Sequence, residues 1–99
     1  MTARRITNRE IETATAARQD WKSNSAEGRN VYGGIVWETG RLATEHRELL
    51  RSKPVAYVVV SYSTPVAWVH VDGETVIPDA RYSQTTSTLQ NRLRRALAH

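Results

Sequence analysis

Apolar positions recur at helical spacing near the start of the chain, shift to strand-like spacing at Val55 and return to helical spacing after Thr85. The first helix is the best punctuated. Thr7 followed three residues later by Glu10 is a capping box, in which each side chain satisfies a backbone N–H that the first turn leaves open. With Thr7 as N-cap, Ile6 and Ile11 occupy the two positions of a hydrophobic staple, so a helix is predicted to start at Asn8. Ile11, Ala14, Ala17, Arg18 and Trp21 give it a thin apolar stripe, through which it would lean on the body by Ile11 and Trp21. A second helix is predicted over about 41–51. Leu42, His46, Leu49 and Leu50 follow i, i+4, i+7, i+8 spacing, and Pro54 disfavours helix for the residue before it. A closing helix over 85–98 carries Leu89, Leu93, Ala96 and Leu97 on one side.

Between the first two helices, residues 22–40 are rich in serine, asparagine and glycine around Val31-Tyr32 and Ile35-Val36-Trp37, which predicts short strands inside a turn-rich connection at 21–37. From Val55 the chain is β-branched and aromatic. Thr64-Pro65 and Asp72-Gly73 read as turns, so strands 55–63, 66–71 and 74–77 form a three-stranded antiparallel meander. The fold class is therefore α+β, with N-terminal, central and C-terminal helices around the meander at about 55–77. If both turns are two-residue loops, Ser61 pairs with Trp68 and Trp68 with Ile77, while Val59 pairs with His70 and His70 with Thr75. One face then carries Val58, Val60, Tyr62, Ala67, Val69, Val71 and Val76. The opposite face carries Tyr57, Val59, Ser61, Ser63, Trp68, His70, Thr75 and Ile77. The valine face is core; the other offers two aromatics, serines, a threonine and a histidine.

Composition narrows the classes of function. Ninety-nine residues form one domain with room for a single core, and no cysteine is present to build a disulfide or thiolate metal site, which fits a reducing compartment. No apolar run approaches the ~20 residues of a membrane helix, and no apolar segment follows Arg4-Arg5 as a leader would require. Fourteen Lys and Arg against ten Asp and Glu give +4, and a pI near 10.0 favours anionic partners.

Two surfaces follow as candidates. Tyr57, Trp68 and His70 on the mixed face could stack bases, the alternative being that a helix covers that face with Trp68 packed beneath. On the closing helix, Thr85, Thr88, Arg92, Arg95 and His99 share a stripe, with Arg94 beside it, suited to a phosphate backbone or an acidic protein. The alternative there is a solvated face whose last-turn arginines complement the helix dipole. Catalysis has little support: His46, His70 and His99 lack metal-ligand spacing, and Ser61, His70 and Asp72 or Asp79 come without a nucleophile elbow. No cofactor is indicated.

Ala3-Arg4-Arg5-Ile6-Thr7-Asn8, Ser61-Tyr62-Ser63-Thr64-Pro65-Val66-Ala67-Trp68, and Tyr82-Ser83-Gln84-Thr85-Thr86-Ser87 with Arg94-Arg95-Ala96-Leu97 resemble a family of small proteins encoded by actinobacteriophages, mycobacteriophages among them. The resemblance spans nearly the whole chain. It implies a phage accessory protein acting in the bacterial host cytoplasm, with no established activity or catalytic residues. Family members carry Arg-His after the Thr-Thr-Ser, where this chain has Thr88-Leu89, which argues against a required histidine at that helix start. The expectation is a non-enzymatic protein that binds a macromolecule, nucleic acid being favoured by charge through Arg92, Arg94 and Arg95. The alternative is an interaction module that inhibits or redirects a host bacterial protein. An uncovered sheet edge would also permit a homodimer.

Overall fold

The computed structural model describes residues 4–5, 8–23, 26–37, 39–78 and 84–97. The chain runs β1 (Arg4–Arg5), α1 (Asn8–Ala16), β2 (Trp21–Lys22), β3 (Ala26–Gly34), α2 (Thr44–Ser52), β4 (Val55–Ser61), β5 (Thr64–His70), β6 (Thr75–Val76) and α3 (Gln84–Leu97). All six strands join one sheet in chain order, with β1 parallel to β2 and every other neighbouring pair antiparallel. The fold is α+β, with the expected meander at its centre. The strands expected inside 21–37 are present as β2 and β3 and extend the sheet well past three.

The sheet is covered on both faces. On one, α1 and α3 bring Ile11, Ala14, Leu89, Leu93 and Leu97 onto Tyr57, Val59, Val66, Ala67 and Val69. On the other, Val36, Leu42 and Leu50 cover Val55, Val58, Val60 and Trp68. Strands buried on both sides need apolar residues at successive positions, which is what Val58-Val59-Val60 and Val66-Ala67-Trp68-Val69 supply. The mixed face does not form as the turns suggested, and the covered alternative holds for Trp68, which packs with Leu50 of α2. Trp68 lies with Val58 and Val60, whereas Ala67 and Val69 lie with Tyr57 and Val59.

The hairpins explain the difference. The β4–β5 turn is Tyr62-Ser63, with φ of 48° and 64°, not Thr64-Pro65. A two-residue type I′ turn needs positive φ at both central positions, and the proline ring holds φ near −65°, so Pro65 cannot sit there. Pro65 instead enters β5 opposite Val60, beside a bulge at Val66 that places Val66 and Ala67 against the same cluster. Trp68 therefore pairs with Val58 rather than Ser61, and His70 with Val55 rather than Val59. The Asp72-Gly73 hairpin forms, but as a three-residue loop, Val71 to Gly73, closed by Gly73 N–H to His70 O at 2.9 Å and His70 N–H to Glu74 O at 2.8 Å. Gly73 takes φ of 94°, and Trp68 pairs with Val76 instead of Ile77.

Helix α1 begins at Asn8 as expected; its proposed cap and staple residues Thr7 and Ile6 lie outside the described residues. It stops at Ala16, well before Trp21. Gln19 N–H donates to Ala14 O at 2.9 Å and Arg18 N–H to Thr15 O at 3.0 Å, a Schellman closure with Arg18 in the left-handed region at φ 56°. Trp21 is thereby released to β2, where its indole N–H reaches back to Thr15 Oγ1 at 3.1 Å. Helix α2 starts at Thr44, later than the spacing predicts, because Thr39–Leu42 forms a turn with Gly40 at φ 44°, pressed against Ser63 and Thr64.

Tyr57 ties these parts together. Its hydroxyl donates to Gln19 O at 2.8 Å, and the Arg18 guanidinium stands 5.8 Å from its ring centre. Burial pushes its pKa up to about 12. An unfolded tyrosine ionises near pH 10, so between the two values the unfolded state releases a proton that the folded state retains. The resulting stability is complete below pH 10 and falls by about 1.4 kcal/mol per pH unit toward pH 12, ~3 kcal/mol in all. Urea titrations across that window are expected to show a shallower alkaline loss for Tyr57→Phe than for the native protein. Equal slopes would rule out the buried hydroxyl as the cause.

Candidate functional site

The aromatic surface expected from the sequence is not assembled. Trp68, Tyr57 and His70 are 0, 1 and 1% exposed, and Tyr57 packs on the opposite side of the sheet from Trp68. The Trp68 indole N–H donates to His70 Nε2 at 3.2 Å. An indole nitrogen only donates, so Nε2 is the accepting nitrogen and Nδ1 carries the hydrogen, directed at the carbonyls of Lys53 at 3.2 Å and Pro54 at 3.3 Å. His70 thus stitches β5 to the entrance of β4, a structural role. Ser61 pairs with Thr64 at one end of the β4–β5 ladder and His70 with Val55 at the other, roughly 20 Å apart along the strand, so no triad forms with Asp72. Asp79 lies outside the described residues, among which no His, Asp and Glu cluster could hold a metal ion.

The basic helix keeps part of its expected stripe. Leu89, Gln90, Leu93, Ala96 and Leu97 turn inward, and the buried Gln90 amide donates to Val66 O at 3.2 Å and Pro78 O at 3.0 Å. Thr88, Arg94 and Arg95 face outward and Arg92 is half-buried. Arg95 Nε donates to Glu12 Oε1 at 2.9 Å, joining α3 to α1, and Arg94 donates to Asn91 Oδ1 at 3.0 Å. The Arg95 charge is therefore already answered within the protein. The Thr85 side chain and His99 lie outside the described residues.

A different surface carries the exposed aromatics. Val31-Tyr32-Gly33 bulges out of the β3–β4 ladder between the Asn30–Tyr57 and Gly34–Val55 pairs, with Tyr32 and Gly33 at φ of 56° and 81°. Tyr32, itself 84% exposed, holds a left-handed backbone that an aromatic residue rarely adopts. Beyond β3, Ile35 faces out at 61% exposure, Val36 is buried, and Trp37 faces out at 75%. Positions that face water are ordinarily polar, and here both are large and apolar. Between this segment and the end of α2 lies a cleft of about 430 Å³ lined by Gly33 to Trp37 and by Leu50 to Val55. Buried Val36 and Leu50 anchor its two walls to the core. At the rim, Lys53 Nζ is 2.7 Å from Asp72 Oδ2 and 3.1 Å from Glu74 Oε1. Hydrogen bonds to Asp72 and then Glu74 hold the Lys53 ammonium above its usual range, and Lys53 in turn holds Asp72 below the usual carboxylate range. Sequence reading notes the Ile35-Val36-Trp37 island without assigning it a role. The signal that could have found the cleft is three consecutive apolar residues beside two glycines, with no polar position left to face water.

Among the described residues no helix is long and apolar enough to cross a membrane. No curated protein and no solved structure matches the chain. The sequence profile of a family of unknown function, DUF8033, matches residues 7–97, and the chain belongs to that family.

Proposed function

We propose that this is a binding protein that docks a partner protein through the Trp37 cleft. The observation that carries this reading is the alternation at residues 35–37, where a buried valine fixes two large apolar side chains outward at the mouth of a cleft. Exposed aromatic anchors beside an apolar pocket are the usual centre of a protein interface, and the neutralisation of Lys53 by two carboxylates leaves the rim poorly suited to a phosphate tract. A phage accessory protein that inhibits or redirects a host protein in the bacterial cytoplasm is the wider setting we propose, supported by the sequence resemblance alone. Binding of nucleic acid through Arg92, Arg94 and Arg95 is a second reading, supported by the charge of +4.

Selection from a random peptide library separates the two. Peptides with apolar anchors are expected to bind the native protein, and Trp37→Ala is expected to weaken them about thirty-fold, the effect of losing an aromatic anchor of ~2 kcal/mol. Undiminished binding by Trp37→Ala would overturn the cleft reading. Capture of short DNA or RNA with affinity that falls linearly in log–log form as salt rises, and that Arg92→Glu with Arg95→Glu abolishes, would establish the second.

A further inference from the structure

We infer that the segment seated in the Trp37 cleft carries a carboxylate beside its apolar anchor, and that Arg51 receives it; the inference rests on the docking reading above. Two cations line the cleft, Arg51 and Lys53. They differ in what they already hold. Lys53 is clasped between Asp72 and Glu74. Arg51, in the last turn of α2, is exposed, and its guanidinium makes no hydrogen bond or ion pair with any described residue. Its nearest chain neighbour does not compete for it, since Ser52 Oγ donates to Leu49 O at 2.6 Å.

Charge complementarity thus selects the occupant. A guanidinium is the side chain best shaped to take a carboxylate through two parallel N–H donors. The apolar wall formed by Ile35, Trp37, Leu50 and Pro54 takes the anchor. A cleft of about 430 Å³ lies within the range that buries a small ligand, so a short segment with one or two apolar side chains fits it. The surplus of +4 adds long-range attraction for an acidic partner and mild repulsion against a second copy of this chain.

Trp37 reports the event directly, because Trp21 and Trp68 are fully buried and Trp37 alone of the three meets solvent. The probes are acetyl-Ser-Leu-Leu-Glu-amide and its neutral counterpart acetyl-Ser-Leu-Leu-Gln-amide, titrated against the full chain at low salt with tryptophan emission as readout. The acidic peptide is expected to bind about five-fold more tightly, the upper range for an exposed ion pair. Arg51→Gln, folded to the native melting temperature, is expected to equalise the two peptides, the acidic one losing its roughly five-fold advantage. Equal binding of both peptides to the native protein would overturn the carboxylate assignment and leave the docking reading standing. Binding of neither peptide, or the same binding by Trp37→Ala, would overturn both. Trp37 emission that shifts with protein concentration alone, together with a sedimenting dimer, would name a second copy as the occupant and overturn the inference.

Discussion

Replacing Gly28 by alanine is expected to lower stability by ~3 kcal/mol, read as a fall of roughly 15 °C in Tm for a domain of this size. Gly28 sits inside β3, paired with Trp21 on one side and Val59 on the other. A Cβ there would land on the Trp21 indole nitrogen and the Tyr57 hydroxyl, and 2.7 Å from Trp21 Cε2. Neither neighbour can step aside cheaply, because the indole N–H is committed to Thr15 Oγ1 and the hydroxyl to Gln19 O. Moving them breaks two buried hydrogen bonds at about 1 kcal/mol each and adds the strain of overpacking. Gly73→Ala is the control. Nothing lies within 4 Å of a Cβ at Gly73, so only its left-handed backbone, φ 94°, resists the change, at ~1 kcal/mol. Urea unfolding of the two variants that ranked Gly73→Ala as the more damaging would show that the Trp21–Tyr57 contact does not govern this region.

Trp68→Ala is expected to cost ~4 kcal/mol, the range for emptying a buried aromatic site. Two terms add. The indole fills the space between Val58, Val60 and the residues of α2, so its loss leaves a cavity under Leu50. It also leaves His70 Nε2 without its donor in a place that water does not reach. Trp68→Phe removes the N–H while keeping a ring, and about 2 kcal/mol is expected for it. The two variants apportion the cost between packing and the hydrogen bond. Equal, small losses for both would mean that this face of the sheet is less well packed than the burial of Trp68 implies.

Local signals in the sequence carried through where they depended on neighbouring residues. α1 starts at Asn8, the hairpin forms around Asp72-Gly73 and the apolar side of α3 turns inward, all as neighbouring residues indicate. What failed depended on tertiary support. Tyr62-Ser63 has no glycine, so nothing local marks it as a turn with two positive φ values; it holds because Thr64 is fastened by Arg41 N–H to its Oγ1 at 2.9 Å and Pro65 is excluded from the turn. That shift of the turn by two residues moved the pairings, the bulge at Val66 then carried Trp68 to the face of Val58 and Val60, and cover on both faces buries it with His70. The run Val58-Val59-Val60 already lacked the alternation of a half-exposed strand, and its meaning, cover on both faces, was legible in principle. The cleft was not. Residues 31–37 read as short strand segments inside a turn-rich connection, and only the packing of Val36 decides which of its neighbours face out.

The packing of α1 against α3 bears on how the chain acquires its shape during synthesis. Leu89, Leu93 and Leu97 are among the last parts of the described chain to leave the ribosome, yet they roof Tyr57, Val59 and Val69. Until they arrive, α1 alone stands over that side of the six-stranded sheet, and the nascent polypeptide leaves the valines beneath α3 open to water and to adhesive contacts.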